Sequence, residues 1–203
     1  MCRATDDVNQ DQSGLPPVKG LVLAGGKSAR MGEDKGNIRY YDVPQREHMA
    51  SLLSQFCIQT FVSTSAEIDS SFKIIPDFER GLGPFGGILS AFRKDPKVAW
   101  LAVATDLPLL DEKSIGKLIE HRDPSKVATC YHNPKTGLPE PLATLWEPKA
   151  YSVLLRFYEK RNACPRKVLL SSEIEQLKVE NPEVLLNVNT PEEKDKLQKK
   201  IYG

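Results

Sequence analysis

A stretch of glycines and cations near the start of the chain has the composition of a polyphosphate-binding loop. Residues 20–36 read GLVLAGGKSARMGEDKG, in which an apolar run is followed by two adjacent glycines and then by Lys27, Arg30 and Lys35. Glycines let backbone N–H groups approach an anion without interference from a Cβ atom, and lysine and arginine neutralise phosphate charge. A packed core needs none of these cations. The residues alone leave one alternative, an ordinary turn after a strand whose cations are solvated.

Two common phosphate-loop patterns do not fit this stretch. The ATPase loop G-x-x-x-x-G-K-[ST] could end at Gly26, Lys27 and Ser28, but it requires a glycine where Leu21 stands. The dinucleotide pattern G-x-G-x-x-G fails because the glycines of this stretch are wrongly spaced for it. The loop therefore follows a third pattern.

The elements that must position this loop alternate between apolar runs and amphipathic segments. The runs that predict strands are 20–25, 58–65, 72–76, 98–105, 126–132, 141–146 and 184–189. Apolar residues at helical spacing predict helices around 49–56, 115–119 and 153–157, and TPEE at 190–193 predicts the start of a last helix. Strands separated by helices favour parallel pairing with helices on both faces of the sheet. We therefore predict an α/β fold with a mostly parallel central sheet.

Polar residues follow directly after several of the predicted strands. They are Gly25–Gly26, Ser63–Ser65, Asp77, Asp106 and Asn187–Asn189. In open α/β sheets, ligands bind at the carboxyl ends of the strands. The sequence therefore predicts that these residues lie at one edge of the sheet and form a binding site there.

The first loop resembles the signature of a known enzyme family. Its pattern, LAGGxSxRMGxDK, is similar to the signature loop of the MobA-like nucleotidyltransferases, which include the molybdenum cofactor guanylyltransferases. The resemblance runs in order from residue 18 to residue 203, and it implies a Rossmann-like three-layer α/β/α sandwich. In this reading Arg30 and Lys35 neutralise the β- and γ-phosphates that leave as pyrophosphate.

Two aspartates carry further parts of the resemblance. Asp77 opens PDFERGLGPFGGIL, which is similar to a family element whose aspartate contacts the nucleotide; alone, the segment would be a flexible loop that caps a helix. Asp106 follows a buried strand in TDLP, where a carboxylate commonly ligates Mg²⁺ together with phosphate and water oxygens. Asp106 could instead cap the next helix, although Asp111 is better placed for that.

The complete set of expected site residues combines these motifs with the closing NVNTPEE segment, in which Asn187 and Asn189 would lie on one side of an extended chain near Asp106. The expected catalytic residues are Arg30, Lys35 and Asp106, and the expected Mg²⁺ ligand is Asp106. The expected nucleotide contacts are Leu23, Ala24, Gly25, Gly26, Lys35, Ser63, Asp77, Asp106, Asn187 and Asn189. Ser63 stands where guanylyltransferases of the family often have an asparagine.

Three further residues are candidates for the acceptor side. Glu140 lies between two prolines in TGLPEPLATLWEP, which resembles the acceptor-side segment of the family, but it could equally be a surface residue. Arg166 and Lys167 occur where the family presents basic side chains to the pterin phosphate, so the resemblance implies that they contact the acceptor.

The resemblance implies transfer of a nucleoside monophosphate from a triphosphate to the terminal phosphate of molybdopterin, with Mg²⁺ as cofactor and other molybdenum cofactor proteins as partners. Gly25–Gly26 favours GTP, because the cytidylyl branch carries LAAG, while the Ser63 departure keeps CTP open. A sugar-phosphate nucleotidyltransferase, or a regulatory protein that kept the fold without turnover, is an alternative. The segment NIRYYDVPQREH at 37–48 lacks the usual turn glycine and hints at a different acceptor.

Composition excludes several other classes. The 203 residues carry 28 basic and 27 acidic side chains, a balance that argues against nucleic-acid binding. The four cysteines form no C-x-x-C pair, and no apolar run approaches the ~20 residues that span a bilayer. We therefore expect a cytoplasmic protein without membrane contact, in which residues 1–17 are a disordered lead-in and residues 18–203 form one domain.

Overall fold

The computed structural model describes residues 14–25, 35–65 and 68–202. Seven strands form one sheet: β1 Val18–Leu23, β2 Thr60–Thr64, β3 Lys73–Pro76, β4 Ala99–Ala104, β5 Ala128–Asn133, β6 Leu138–Trp146 and β7 Ile174–Lys178. The α-helices are α1 Gln45–Ser54, α2 Pro84–Lys94, α3 Glu112–Glu120, α4 Ala150–Glu159, α5 Pro165–Leu170 and α6 Pro191–Tyr202. No helix in these described ranges is both long enough and apolar enough to cross a membrane.

The strands are ordered β3-β2-β1-β4-β6-β5-β7 across the sheet. Strands β1 to β4 pair in parallel, as do β5 and β7, while β6 is antiparallel to both β4 and β5. Strands β5 and β6 are joined by a short hairpin and not by a helix, and a connection of this length permits only antiparallel pairing. The predicted mostly parallel α/β sheet is confirmed, with β6 as the exception.

The hydrophobic core lies on both faces of the sheet. Helices α2, α4 and α5 pack on one face, and α1 and α3 pack on the other. Every residue of the central strand β4 is buried, and its side chains alternate between the two faces, with Trp100 on the first and Leu101 on the second. Each large apolar side chain buried in this way contributes about 1.5–3 kcal/mol. The predicted three-layer sandwich is therefore confirmed.

The register of the parallel strands sets the position of the residues that follow them. Leu23, near the end of β1, lies opposite Ser63 of β2 and Ala104 of β4. The strands β1 to β4 consequently end together at one side of the sheet, which we call the carboxyl edge. The loops that leave this edge begin at Ala24, Asp77 and Thr105.

The elements that differ from the prediction include the segment 184–189, strand β7 and helix α5, for which the sequence analysis predicts no helix. The strand predicted at 184–189 is wrong: a 3₁₀ helix spans Pro182–Leu185, and the segment after it pairs with no described strand. Its apolar residues pack instead into two clusters. Val184 and Leu185 lie in the core beside α1 and α3, and Val188 packs with Ile38, Tyr40 and Leu197. The sequence does not predict strand β7, because only one of its five residues is buried at the sheet margin and its sequence IEQLK carries little apolar signal.

Candidate functional site

The end of β1 forms a close approach between the backbone and an acidic side chain. Leu23 is buried in the core, and the N–H of Ala24 donates to the Ser63 carbonyl at 2.9 Å. A Cβ atom on Gly25 would lie 3.2 Å from Asp77 Oδ2, so a larger residue would press on this carboxylate. The predicted contacts Gly26 and Arg30 lie outside the described residues.

Asp77 is held at the carboxyl edge by the neighbouring strand. Its N–H donates to the Thr64 carbonyl at 3.1 Å, and the Ser63 hydroxyl donates to its Oδ1 at 2.8 Å. Burial raises the pKa of the Asp77 carboxyl, while the hydrogen bond from Ser63 partly opposes this shift. Ser63 is itself only 1% exposed, and its donor is used by Asp77. A nucleotide contact of Ser63 stays a prediction, and in this structure the residue orients Asp77.

The structure brings together three residues that lie far apart in sequence. Lys35 Nζ lies 3.2 Å from Asp106 Oδ1 and donates to Asn189 Oδ1 at 2.6 Å. The side chains of Lys35 and Asp106 are 19% and 26% exposed, so solvent or a ligand can still reach both. A lysine ammonium has three N–H donors. Among the described residues, one of these donors is bonded to Asn189 and Asp106 lies within ion-pair distance, so the ammonium can also offer a donor to an anion.

A small apolar cluster supports these three residues. Ile38, Tyr40, Val188 and Leu197 pack together with less than 4% exposure each. Ile38 closely follows Lys35 in the chain, while Val188 precedes Asn189 and its N–H donates to the Asp106 carbonyl at 3.0 Å. The cluster therefore joins the segment after Lys35, the loop after β4 and helix α6.

The start of helix α6 fixes the backbone of Asn189. Glu193 Oε2 accepts hydrogen bonds from the N–H groups of Asn189 at 2.7 Å and Thr190 at 3.2 Å, and Thr190 Oγ1 accepts from the Glu193 N–H. These reciprocal hydrogen bonds form a capping box, and the helix start predicted at 190–193 is confirmed. Asn187 is half-buried like Asn189, and the buried Val188 separates the two. The structure gives a contact to Lys35 for Asn189 alone of the pair.

The oxygens around Lys35 suit a hard divalent cation. Across residues 14–25, 35–65 and 68–202, no group of three or more His, Cys, Asp and Glu side chains could hold a metal ion. Mg²⁺ at a nucleotide site does not require one, since it binds one or two carboxylates and takes its other ligands from phosphate and water. Asp106 Oδ1 and Asn189 Oδ1 already converge on one cationic atom, Lys35 Nζ. This donor set fits Mg²⁺.

Gly87 of helix α2 belongs to the glycine-rich segment after Asp77, and the structure shows which residues it packs against. A Cβ atom there would lie 2.7 Å from Leu23 Cδ2 and 2.7 Å from Ser63 Oγ. The helix can therefore pack directly beneath the ends of β1 and β2 only with glycine at this position. The pair Gly86–Gly87 is visible in the sequence, but the partners of Gly87 depend on the fold.

The acceptor-side residues lie around the hairpin of β5 and β6. Glu140 is fully buried, and its carboxylate accepts hydrogen bonds from Asn133 Nδ2 at 2.8 Å and from the Leu142 N–H at 3.0 Å. The surface interpretation of Glu140 is therefore wrong, and the residue stabilises the hairpin. Arg166 Nε donates to the Pro139 carbonyl at 3.4 Å, whereas Lys167 is exposed on α5. An acceptor contact of Arg166 or Lys167 stays a prediction.

Comparisons with known proteins identify the family of the chain. The model of the MobA-like NTP transferase domain matches residues 20–179. A molybdenum cofactor biosynthesis bifunctional protein from Synechocystis sp. is 36% identical over 182 residues, which cover 87% of this chain and 52% of that protein. The chain thus spans about half the length of this relative.

A second relative matches over nearly its whole length. The molybdenum cofactor guanylyltransferase of Xanthomonas euvesicatoria pv. vesicatoria is 31% identical over 189 residues, covering 89% of this chain and 94% of that protein. Among solved structures, the molybdopterin-guanine dinucleotide biosynthesis protein A of Archaeoglobus fulgidus superposes with a TM-score of 0.74 at 20% identity, covering 90% of this chain and 97% of that one. The similarity to this solved structure supports the Rossmann-like fold.

Proposed function

The chain belongs to the MobA-like NTP transferase family, and from this premise we propose that it transfers GMP from GTP to the terminal phosphate of molybdopterin and releases pyrophosphate. Membership makes it a nucleotidyltransferase. The nucleotide, the acceptor and the roles of individual residues are the proposed part. The observation that carries the proposal is the convergence of Lys35, Asp106 and Asn189 at the carboxyl edge.

The reaction requires alignment of the reactants and neutralisation of charge more than it requires acid–base catalysis. An oxygen of the acceptor phosphate attacks the α-phosphorus of the triphosphate, the bond from this phosphorus to the oxygen that bridges to the β-phosphorus breaks, and pyrophosphate leaves with that oxygen. A phosphate acceptor is already anionic at neutral pH, so no general base is needed. The main requirements are in-line positioning and stabilisation of charge that develops on the leaving group.

Lys35 is the described residue best suited to stabilise the leaving group. Its ammonium can offer an N–H donor to an anion in addition to its contacts with Asp106 and Asn189. We assign this donor to the pyrophosphate oxygens, with Arg30 as a second cation on the same loop. Gly25 and Gly26 carry no Cβ atom, so backbone N–H groups of this loop could approach the phosphates closely.

Asp106 and Asn189 would hold Mg²⁺. A bound Mg²⁺ neutralises phosphate charge and polarises the phosphoryl group. Lys35 must then share these two oxygens with the cation. Asp77, whose orientation is set by Ser63, is assigned to the nucleoside part of the substrate.

GTP is the proposed donor because of the two adjacent glycines. Gly25–Gly26 matches the LAGG form of the loop, and the Xanthomonas relative is named a guanylyltransferase. Ser63 stands in place of an asparagine that is frequent in that branch, so CTP is the second nucleotide to test.

Pyrophosphate release, measured with each of the four ribonucleoside triphosphates in the presence of molybdopterin and Mg²⁺, tests the proposal. We expect release with GTP at least about tenfold faster than with the other three, a ratio that hydrogen-bonded recognition of a base readily exceeds. Equal rates with all four would refute the specificity. Preference for CTP would move the chain to the cytidylyl branch, and no release with any of them would refute the proposed reaction.

A matched pair of variants tests the role of Asp106. Asp106→Asn removes the carboxylate at the carboxyl edge, and we expect it to lower kcat by about 10²-fold or more, as loss of a charge-stabilising group does. Asp111→Asn removes a carboxylate five residues later that caps α3 through the Ser114 N–H, and asparagine caps equally well. Comparable rates for the two variants would contradict the assignment of Asp106.

A further inference from the structure

Four side chains tie the loop after Asp77 to helix α4. The Arg93 guanidinium lies 3.8 Å from the centroid of the Phe78 ring, and the Tyr158 ring meets Phe78 edge-to-face at 5.4 Å between centroids. The Tyr158 hydroxyl donates to Glu79 Oε2 at 2.5 Å. We call Phe78, Glu79, Arg93 and Tyr158 the Phe78 clamp. Cation–π and edge-to-face contacts of this geometry are attractive.

The backbone of Phe78 is also held by helix α2. Its N–H donates to Ser90 Oγ at 3.0 Å, and this hydroxyl donates in turn to the Gly86 carbonyl at 2.8 Å. The residue next to Asp77 is therefore attached through its backbone to α2 and through its ring to Arg93 of α2 and Tyr158 of α4. A displacement of Phe78 would carry Asp77 with it, because one peptide bond joins them.

Tyr158 comes from a different part of the fold than Asp77. Asp77 follows β3, in the half of the sheet with the glycine turn, whereas α4 follows β6 and leads into α5, which carries Arg166. On the open side of Tyr158 and Glu79 there is a cavity of about 460 Å³, which reaches the chain between α4 and α5. This cavity lies beside the contacts of Tyr158. In the described structure, no other side chain fills it and could take over those contacts.

We propose that Tyr158 is a positioning residue: through the ring of Phe78 and the carboxylate of Glu79, it holds the loop that presents Asp77 to the nucleotide. This inference rests on the proposed nucleotide contact of Asp77. Nucleotide binding would then depend in part on a side chain of α4, the helix that leads into α5 and the expected acceptor contact Arg166. Because Tyr158 acts through Phe78 and Glu79, it affects how often the loop is in position and not the reacting atoms.

The chain supplies a matched control on the same two helices. Tyr151 of α4 stacks on Phe92 of α2, with ring centroids 5.9 Å apart, but neither ring belongs to the clamp. Tyr151→Ala therefore removes an aromatic pair between α2 and α4 without touching the loop, while Tyr158→Ala removes the contacts to the loop. A general loosening of the two helices would affect nucleotide binding in both variants.

The first measurement is calorimetric titration of the full chain with GTP and Mg²⁺, repeated with CTP. We expect Tyr158→Ala to raise the Kd about tenfold, since it removes an aromatic contact and a charge-assisted hydrogen bond together. Tyr151→Ala should leave the Kd within about twofold, since an aromatic pair remote from the loop adds only to stability. Equal Kd values for wild type and Tyr158→Ala would overturn the inference, as would equal losses in the two variants.

Conservative variants separate the ring from the hydroxyl. Tyr158→Phe keeps the ring against Phe78 and loses the hydrogen bond, so we expect a rise in Kd of about two- to fivefold. Glu79→Gln keeps an oxygen that can accept from Tyr158 and should bind nucleotide within about twofold of wild type. A Glu79→Gln variant as weak as Tyr158→Ala would mean that Glu79 contacts the ligand directly, which would overturn the assignment.

Hydrogen exchange of ligand-free protein makes the clamp testable apart from the proposed function. We expect amides of residues 77–83 to exchange faster in Tyr158→Ala than in wild type or Tyr151→Ala. Unchanged exchange would refute the clamp even if nucleotide binding were altered. If wild type binds neither GTP nor CTP while exchange behaves as expected, the proposed function fails and the attachment of the loop by Tyr158 stands.

Discussion

Replacing Gly87 by alanine should be more damaging than a Gly→Ala change in a helix normally is. The new Cβ atom would lie 2.7 Å from both Leu23 Cδ2 and Ser63 Oγ, far inside van der Waals contact. Leu23 and Ser63 are 5% and 1% exposed, so neither can turn away into solvent. Either α2 moves off the sheet or Ser63 shifts, and a shift of Ser63 breaks its hydrogen bond to Asp77.

The change in the free energy of unfolding is the sum of one favourable and two unfavourable contributions. Alanine gains about 1 kcal/mol over glycine inside a helix. Overpacking a close-packed contact costs about 1–3 kcal/mol, and losing a hydrogen bond to a charged group costs about 1.5–3 kcal/mol, less at a half-exposed carboxylate. We therefore expect Gly87→Ala to lower the free energy of unfolding by about 1–4 kcal/mol and to weaken GTP binding through Asp77.

Gly116 of helix α3 provides the control. A Cβ atom there would meet Phe56 Cε1 at 3.5 Å, an ordinary van der Waals distance. Gly116→Ala should therefore raise the free energy of unfolding by about 0.5–1 kcal/mol. Urea unfolding of the two variants gives both values. If Gly87→Ala were as stable as Gly116→Ala, the close packing of α2 beneath the site would be wrong.

Three further predictions concern charge and packing. Burial raises the pKa of Asp77 in the folded protein above its ordinary value of 3.8, so ionisation of this carboxyl lowers the free energy of unfolding as the pH rises above 3.8. Asp77→Asn should therefore raise the melting temperature at pH 7, and this gain should disappear below about pH 4. The same variant should weaken nucleotide binding. Arg122→Met should lower the free energy of unfolding by about 3–5 kcal/mol in urea, since it leaves Glu147, 0% exposed, without its two hydrogen bonds of 2.9 and 2.6 Å. Leu197→Ala should lower the free energy of unfolding by about 2–4 kcal/mol. It should also lower kcat, because Leu197 packs against Val188, the neighbour of Asn189. A fall in thermal stability with unchanged kcat would contradict this support of Asn189.

The parts of the fold that follow from local pattern were predictable from the sequence. Continuous apolar runs predicted six of the strands, and the rule that ligands bind at carboxyl ends brought Gly25, Asp77 and Asp106 to one edge. The approach of Lys35 to Asp106 agrees with the same rule, since Lys35 belongs to the segment after β1 and Asp106 lies in the loop after the neighbouring strand β4.

What could not be predicted depends on contacts between distant residues. The segment around Val188 has the composition of a strand, but Val188 packs in the apolar cluster with Ile38, Tyr40 and Leu197, and the segment pairs with no described strand. Glu140 and Glu147 appear as ordinary charged residues in sequence, and only the fold supplies their buried partners. The clamp around Phe78 requires α2 and α4 to be adjacent, which no local pattern encodes.

The most direct test of the account is to follow isotopic label from GTP during turnover with molybdopterin and Mg²⁺. If Lys35, Asp106 and Asn189 act on a triphosphate as proposed, label in the α-phosphate will appear on the acceptor, and label in the γ-phosphate will appear only in pyrophosphate. Transfer of γ-label to the acceptor, or its release as orthophosphate, would contradict nucleotidyl transfer at this site.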